Sequence, residues 1–353
     1  MLYNRTNIMK GTLYALKNIM NKSPLSTFIY VLITCLVFAN VYVYSHIFTS
    51  TIPEPLYPVT EAAPDESGLE SEEQEPPKNV LPEGYEYIQA GLSDTHSGTL
   101  LLVNSTHSFV FDNVPTVIPT SENVSIYYNK TKSYSVRDIN VSMNAEAVTA
   151  LNRMLDDFSA FQGGKKSLII LEGLRTYEAQ QQILDEKIAA LGPEQTIAQT
   201  PGASEHHTGY AMDMDLYENG VIATFTGEGD YAWIYENAHK YGFVLRYQEG
   251  KESITGISPE SWHFRYVGVP HAEYMYKNNL SLEEYIDALA MYPFESGHLS
   301  VTDEATGASY EIYSVAVNAD GTQVPVPASP DGSVAYTLSG DNSGHVIVTV
   351  KKA

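Results

Sequence analysis

The chain has 353 residues, with 20 Lys and Arg against 43 Asp and Glu and a formal net charge of −23. That length holds one enzyme-sized domain with smaller parts attached, and the acidity excludes nucleic acid as a partner, because phosphates need Lys and Arg. The single cysteine, Cys35, excludes a disulfide framework, so the fold must hold through its own core.

Charge is spread unevenly. Arg5, Lys10, Lys17 and Lys22 precede an apolar run, FIYVLITCLVFANVYVYSHIF, at residues 28–48, and the first acidic residue is Glu54. At about 1.5 Å per residue such a run can cross a hydrocarbon core of roughly 30 Å. The basic residues 1–27 before it predict a cytoplasmic N-terminus. A cleaved signal peptide is the competing expectation. The run exceeds a usual h-region, however, and its end, YVYSHIFTS, has no clear A-x-A-like site. The expectation is therefore a single-pass cell-membrane anchor with the rest of the chain outside. Residues 49–85 are acidic and Pro-rich, which predicts an extended linker.

From Tyr85 to Asp138 the runs GTLLLV, SFVFD and SIYYN read as short strands among turns. AEAVTALNRMLDDF places apolar residues at helical spacing, with Ser142 or Asn144 as cap. KSLIIL predicts a buried strand. Thr176 to Leu191 predicts a helix ended by Gly192-Pro193, and Asp230 to Lys240 another, stopped by Gly242. FVLRY and WHFRYV read as strands, and Ser281 with Glu284 forms a capping-box pattern. Beyond Pro293, YEIYSVAVN, AYTLSG and HVIVTVKK read as strands split by DG, SG and NSG turns. Residues 86–292 thus form an α+β core of catalytic size, and residues 293–353 a small C-terminal β module.

The stretch SEHHTGYAMDMD, 204–215, concentrates metal-ligand residue types. In an extended GYAMDMD, Asp213 and Asp215 share one face, and Met212 and Met214 the other. A turn at Thr208-Gly209 would let His206 fold back towards Asp213. A catalytic zinc needs three protein ligands and one open position. His263, in PESWHFRYV, offers a third, and Glu260 three residues earlier offers a general base. His207 and Asp215 remain alternatives at this level, and the residue types fit zinc or another borderline metal.

Four blocks then carry a resemblance. LEGLRTYEAQQQ looks like SGYRTxxxQ, and PGASEHHTGYAMDMD like SEHQTGLAVDI. WIYENAHKYGFVLRYQEGKESITGI looks like WLxxNAxxYGFILRYPxxKxxxTGI, and PESWHFRYVGVPHA like YEPWHFRYVGxxHA. In this order, over about residues 97 to 291, the chain resembles the VanY-type D-alanyl-D-alanine carboxypeptidases of the LAS zinc peptidases, peptidase family M15B. The resemblance implies a small LAS/hedgehog-like α+β domain, a mostly antiparallel sheet with packed helices. It implies Zn2+ held by His206, Asp213 and His263, with Glu260 as base and Arg175 steadying the oxyanion. Gln180, Ser204 and Thr208 fall in its blocks as candidate substrate contacts, although turn or helix-surface roles suit them equally. His207 stands where the family often has Gln, and Asp215 reads as structural.

The activity so implied is hydrolysis of the terminal D-Ala of peptidoglycan stem peptides by a metal-activated water. Leu174 and Glu172 depart from the family's usual Tyr and Ser, which bears on specificity, and Gln248 replaces a common Pro. The alternatives are an L,D-carboxypeptidase or endopeptidase of the same fold, and a non-catalytic zinc-bearing wall-binding module. The last would have lost its base or arginine, and both are present.

Overall fold

In AMDMD, two methionines and two aspartates take opposite faces of one strand, and the fold is organised around that separation. The structure is a computed structural model that describes residues 81–194, 198–328 and 335–352. The expected anchor at 28–48, the segment 1–27 and most of the 49–85 linker lie outside the described residues. Among the described residues, no helix is long and apolar enough to cross a membrane.

In chain order the strands are β1 (Tyr85–Ala90), β2 (Asn123–Ser125), β3 (Ser135–Val136), β4 (Ser142–Asn144), β5 (Leu168–Glu172), β6 (Ala211–Glu218), β7 (Val221–Ala223), β8 (Phe243–Tyr247) and β9 (Glu260–Tyr266). They continue as β10 (Leu299–Thr302), β11 (Ser309–Ala316), β12 (Thr322–Pro327), β13 (Tyr336–Gly340) and β14 (His345–Lys351). The main helices are α1 (Ala145–Phe161), α2 (Tyr177–Leu191), α3 (Ala232–Asn237), α4 (Val269–Asn278) and α5 (Leu282–Leu289).

The main sheet runs β3-β5-β6-β9-β8, with β7 hairpinned onto β6. Every pair is antiparallel except β3 with β5. This is the mixed α+β architecture that the resemblance implied. Met212 and Met214 of β6 are fully buried against Leu151, Met154 and Phe158 of α1. Residues three and four apart on a helix share a face, so one stripe of α1 covers the sheet. Asn144 caps α1 by accepting from Glu146 N, and the Ser281–Glu284 capping box starts α5.

The four-stranded sheet β10-β11-β14-β13 follows a period of two. Ile312 and Ile347 face α4 and α5, while Tyr313, Val346 and Val348 face the opposite way. There they meet Val324 and Val326 of β12, whose strand pairs antiparallel with β1. β1 therefore bridges the expected boundary at residue 293, pairing a strand at the start of the core with one from after it.

None of the three strands expected between Tyr85 and Asp138 forms over its run. GTLLLV and SFVFD, residues 98–103 and 108–112, have no strand pairing, and SIYYN forms a helical turn, Ile126–Asn129. Leu100, Leu101, Leu102 and Val103 are all buried, so the run does not alternate between core and solvent. Its backbone is satisfied by other groups: Leu100 N donates to Ser339 Oγ, and the Thr99 and Leu101 carbonyls accept from Arg265.

Candidate active site

Strand register brings the site together. Asp213 on β6 lies directly opposite His263 on β9. Facing residues of an antiparallel pair project to the same side, and His263 Nδ1 stands 2.9 Å from Asp213 Oδ1. His206 reaches the same carboxylate from a single 3-10 turn, Glu205–Thr208, with Nε2 at 3.4 Å from Asp213 Oδ2. Gly209 ends that turn at φ +73, a left-handed conformation that costs glycine little. Gly173 brings the opposite wall close: a Cβ there would lie 2.1 Å from Ser142 O. Its carbonyl accepts from His206 Nδ1 at 2.7 Å, which fixes the tautomer and leaves Nε2 facing Asp213.

Glu260 stands at the start of β9. In an unbroken strand, residues three apart face opposite sides. Between β8 and β9 the register shifts: Leu245 pairs with Phe264, but Tyr247 pairs with Glu260. This irregularity lets Glu260 turn towards the ligands, with Oε2 at 3.7 Å from His263 Nδ1. Arg175, just before α2, donates to Gln180 Oε1 at 3.0 Å and faces Glu172 at 3.7 Å. Its Nε is buried and has no hydrogen-bond partner among the described residues. A cavity of about 160 Å³ is lined by Arg175, His206, Asp213, Glu260 and His263.

The electrostatics follow from this packing. Burial pushes the Asp213 carboxyl up, but the adjacent His206 and His263 outweigh it and hold it well below the usual carboxylate range. Burial pushes His263 down, yet the hydrogen bond to Asp213 and the nearby Glu205 carboxylate raise it to about 9. Glu260 is raised, first by burial and further by Asp213, with His263 and Arg175 acting against the shift. A raised carboxyl suits a group that takes and returns a proton.

Two ring nitrogens and a carboxylate converge so that their ligand atoms lie within 4.8 Å of one another. His206 turns Nε2 and His263 turns Nδ1 towards the Asp213 carboxylate, and each residue offers one ligand atom. The set fits zinc: three N/O donors of the right types, with the cavity on the remaining side.

Of the other sequence candidates, Gln180 is buried with both ends of its amide engaged, accepting from Arg175 and donating to Gln199 O at 2.7 Å. It braces the arginine. Thr208 donates to Glu205 O and accepts from Tyr210 N, which is turn chemistry. Ser204 lines the cavity. His207 donates from Nδ1 to Arg175 O and accepts at Nε2 from Gly202 N, so both nitrogens are taken. Asp215 accepts from Phe225 N at 2.9 Å and pins the chain beyond β7.

Sequence reading missed Glu205. Its carboxylate is fully buried. Oε1 accepts from Arg246 Nε at 2.8 Å and from Arg265 Nη1 at 2.9 Å, and Oε2 faces His263 Nε2 at 3.5 Å. Burial alone would raise this carboxyl; Arg246 and Arg265 hold it far below its ordinary value. The available signal was the arginine in FVLRY and in WHFRYV, since a guanidinium inside an apolar strand requires a buried acidic partner.

Convergent ligand-type side chains, a raised carboxyl and a guanidinium with one unpartnered nitrogen are the groups that metal-assisted hydrolysis requires. Comparison with known proteins gives the family. Residues 140–269 match the VanY family, D-alanyl-D-alanine carboxypeptidase. A D-alanyl-D-alanine carboxypeptidase of Enterococcus faecium is 35% identical over 255 residues, covering 72% of this chain and 76% of that protein. One from Enterococcus faecalis is 38% identical over 143 residues, covering 37% of this chain and 52% of that protein, so the chain spans only about half its length. A crystal structure of the vancomycin-resistance D,D-dipeptidase VanXYg, in complex with a D-Ala-D-Ala phosphinate analogue, superposes with a TM-score of 0.65 at 30% identity. It covers 76% of this chain and 99% of that one. The chain belongs to the VanY carboxypeptidase family and is a peptidase.

Proposed function

We propose that this protein is a zinc-dependent D-alanyl-D-alanine carboxypeptidase that removes the terminal D-Ala from peptidoglycan stem peptides. The observation that carries the reading is the register pairing of Asp213 with His263, which sets three ligand side chains beside Glu260 and the unpartnered Nε of Arg175. Family membership and the likeness to proteins named for D-Ala-D-Ala support the substrate class.

Zinc held by His206, Asp213 and His263 would acidify a water and polarise the scissile carbonyl. Glu260, raised by burial, accepts the proton of the attacking water and returns it to the leaving amine. Arg175, braced by Gln180 and Glu172, directs its guanidinium at the oxygen where negative charge develops.

The apolar run at 28–48, with basic residues before it and acidic ones after, supports placement of the peptidase on a membrane tether outside the cell. Fractionation checks this: the chain is expected with membranes and open to added protease, and a freely soluble cytoplasmic chain would contradict it.

The test of activity uses the full-length, zinc-loaded chain. It is incubated separately with a pentapeptide ending in D-Ala-D-Ala, a tetrapeptide ending in one D-Ala, and the free dipeptide D-Ala-D-Ala, and product masses are followed. Loss of one alanine from the pentapeptide, absent in Glu260→Ala, is expected. Cleavage of the tetrapeptide alone would replace the reading with an L,D-carboxypeptidase, and cleavage of the dipeptide alone with a dipeptidase.

A further inference from the structure

Behind the ligand set lies a buried charge cluster that the proposed reaction does not use. Glu205 Oε1 is shared by two guanidiniums, Arg246 and Arg265. Arg246 also grips Glu283 of α5 through both terminal nitrogens, at 2.8 and 2.7 Å. Arg265 Nη2 holds the carbonyls of Thr99 and Leu101, each at 2.9 Å. Glu205 is thereby fixed from two sides by segments outside residues 140–269, the part that matches the family.

Two atoms of this cluster are left over. Glu205 Oε2 and His263 Nε2 are both buried, both lack a hydrogen-bond partner among the described residues, and face each other at 3.5 Å. Buried polar atoms are almost always paired, and these two are placed against each other. On the far side of the same ring, Nδ1 stands 2.9 Å from Asp213 Oδ1. A ring that ligates a metal keeps one proton, and only one of the two carboxylates can hold it. A proton on Nδ1 would occupy the position from which the ring must donate its lone pair.

We propose that Glu205 is a positioning residue that holds the proton of His263 on Nε2 and so presents Nδ1 to the metal. The assignment rests on reading the His206–Asp213–His263 set as a metal centre. A histidine ligand whose remote N–H is held by a carboxylate is fixed in tautomer and ring orientation and becomes a stronger donor. The two arginines keep that carboxylate ionised and immobile.

Glu205→Gln makes the consequence specific. Arg246 and Arg265 require an acceptor, so they retain the amide oxygen. The amide nitrogen then faces His263 Nε2, which must become an acceptor and drive the proton to Nδ1. The experiment uses the full-length chain, stripped of metal and titrated with Zn2+ against a chelating dye, with folding checked by near-UV circular dichroism. In parallel, the protonated ring nitrogen of His263 is assigned by 15N NMR of histidine-labelled, zinc-loaded wild-type chain. Zinc affinity is expected to fall roughly 10–100-fold in Glu205→Gln, and the wild-type ring to carry its proton on Nε2. Unchanged zinc affinity in a folded Glu205→Gln chain overturns the assignment, as does ligation through Nε2 in the wild type. If Glu205→Gln does not fold, the wild-type tautomer decides alone. A wild-type chain that binds no zinc overturns this assignment together with the metal reading, whereas a normal wild-type affinity matched by the variant overturns this assignment only.

Discussion

The main sheet and the C-terminal sheet are both antiparallel in their central pairs, yet their interiors differ. β11 and β14 bury Ile312, Ile347, Val346 and Val348, and both faces are mainly hydrocarbon. One face of β6, β8 and β9 buries only apolar side chains, among them Met212, Met214, Phe243 and Phe264. The other holds Asp213, Arg246, His263 and Arg265, with three side-chain atoms of the site, on Arg175, Glu205 and His263, left without hydrogen-bond partners. Buried charges of this kind contribute little net stability, because desolvation offsets their attraction. The C-terminal sheet is built as a scaffold, while the main sheet gives up stability for a pre-arranged polar face.

Substitutions on the two sheets should therefore separate cleanly. The largest effect is expected at the polar face: Glu260→Ala should lower turnover of a D-Ala-D-Ala peptide by roughly 10²–10⁴-fold while bound zinc and the urea midpoint stay unchanged. Loss of zinc in this variant would place Glu260 among the ligands. On the scaffold, Ile312→Ala removes a fully buried side chain. It should cost about 2–5 kcal/mol in urea unfolding, with zinc stoichiometry intact; a loss of zinc without a loss of stability would erase the distinction.

The two regions are joined at His271. Its Nδ1 meets Tyr285 Oη at 2.7 Å and its Nε2 meets Thr349 Oγ1 at 3.1 Å, linking α4 and α5 to β14. Burial lowers this imidazole to about 3. The folded form holds it neutral, whereas the unfolded chain protonates it near its ordinary value of about 6.5. Its contribution is full above that value and is lost as pH falls from there towards about 3. Urea midpoints of the wild type should fall across this window, and those of His271→Gln should fall less; parallel curves would show that the junction does not titrate. The smallest effect is expected at the cap of α1, where Asn144→Ala should cost about 1 kcal/mol of stability and leave zinc affinity alone.

Legibility in the sequence followed the range of the interactions. α1, α2, β6 and the α5 capping box rest on local periodicity and caps, and the sequence marked each. The ligand types were visible in SEHHTGYAMDMD and PESWHFRYV, but their meeting depends on the pairing of Asp213 with His263, fifty positions apart. The choice of His206 over His207 came from resemblance. Its physical basis, a carbonyl of Gly173 on one ring and of Arg175 on the other, is tertiary. Residues 98–103 were misread because side chains from distant strands satisfy their backbone in place of a neighbouring strand. Glu205 went unseen because its partners lie 41 and 60 positions away.

The most direct test of the account is the zinc content of the purified, dialysed full-length chain, compared with Asp213→Ala by elemental analysis. One zinc per wild-type chain, lost in Asp213→Ala together with carboxypeptidase activity while the fold is retained, is the expected result. A folded Asp213→Ala chain that keeps its zinc, or a wild type that cleaves the pentapeptide without any, would contradict it.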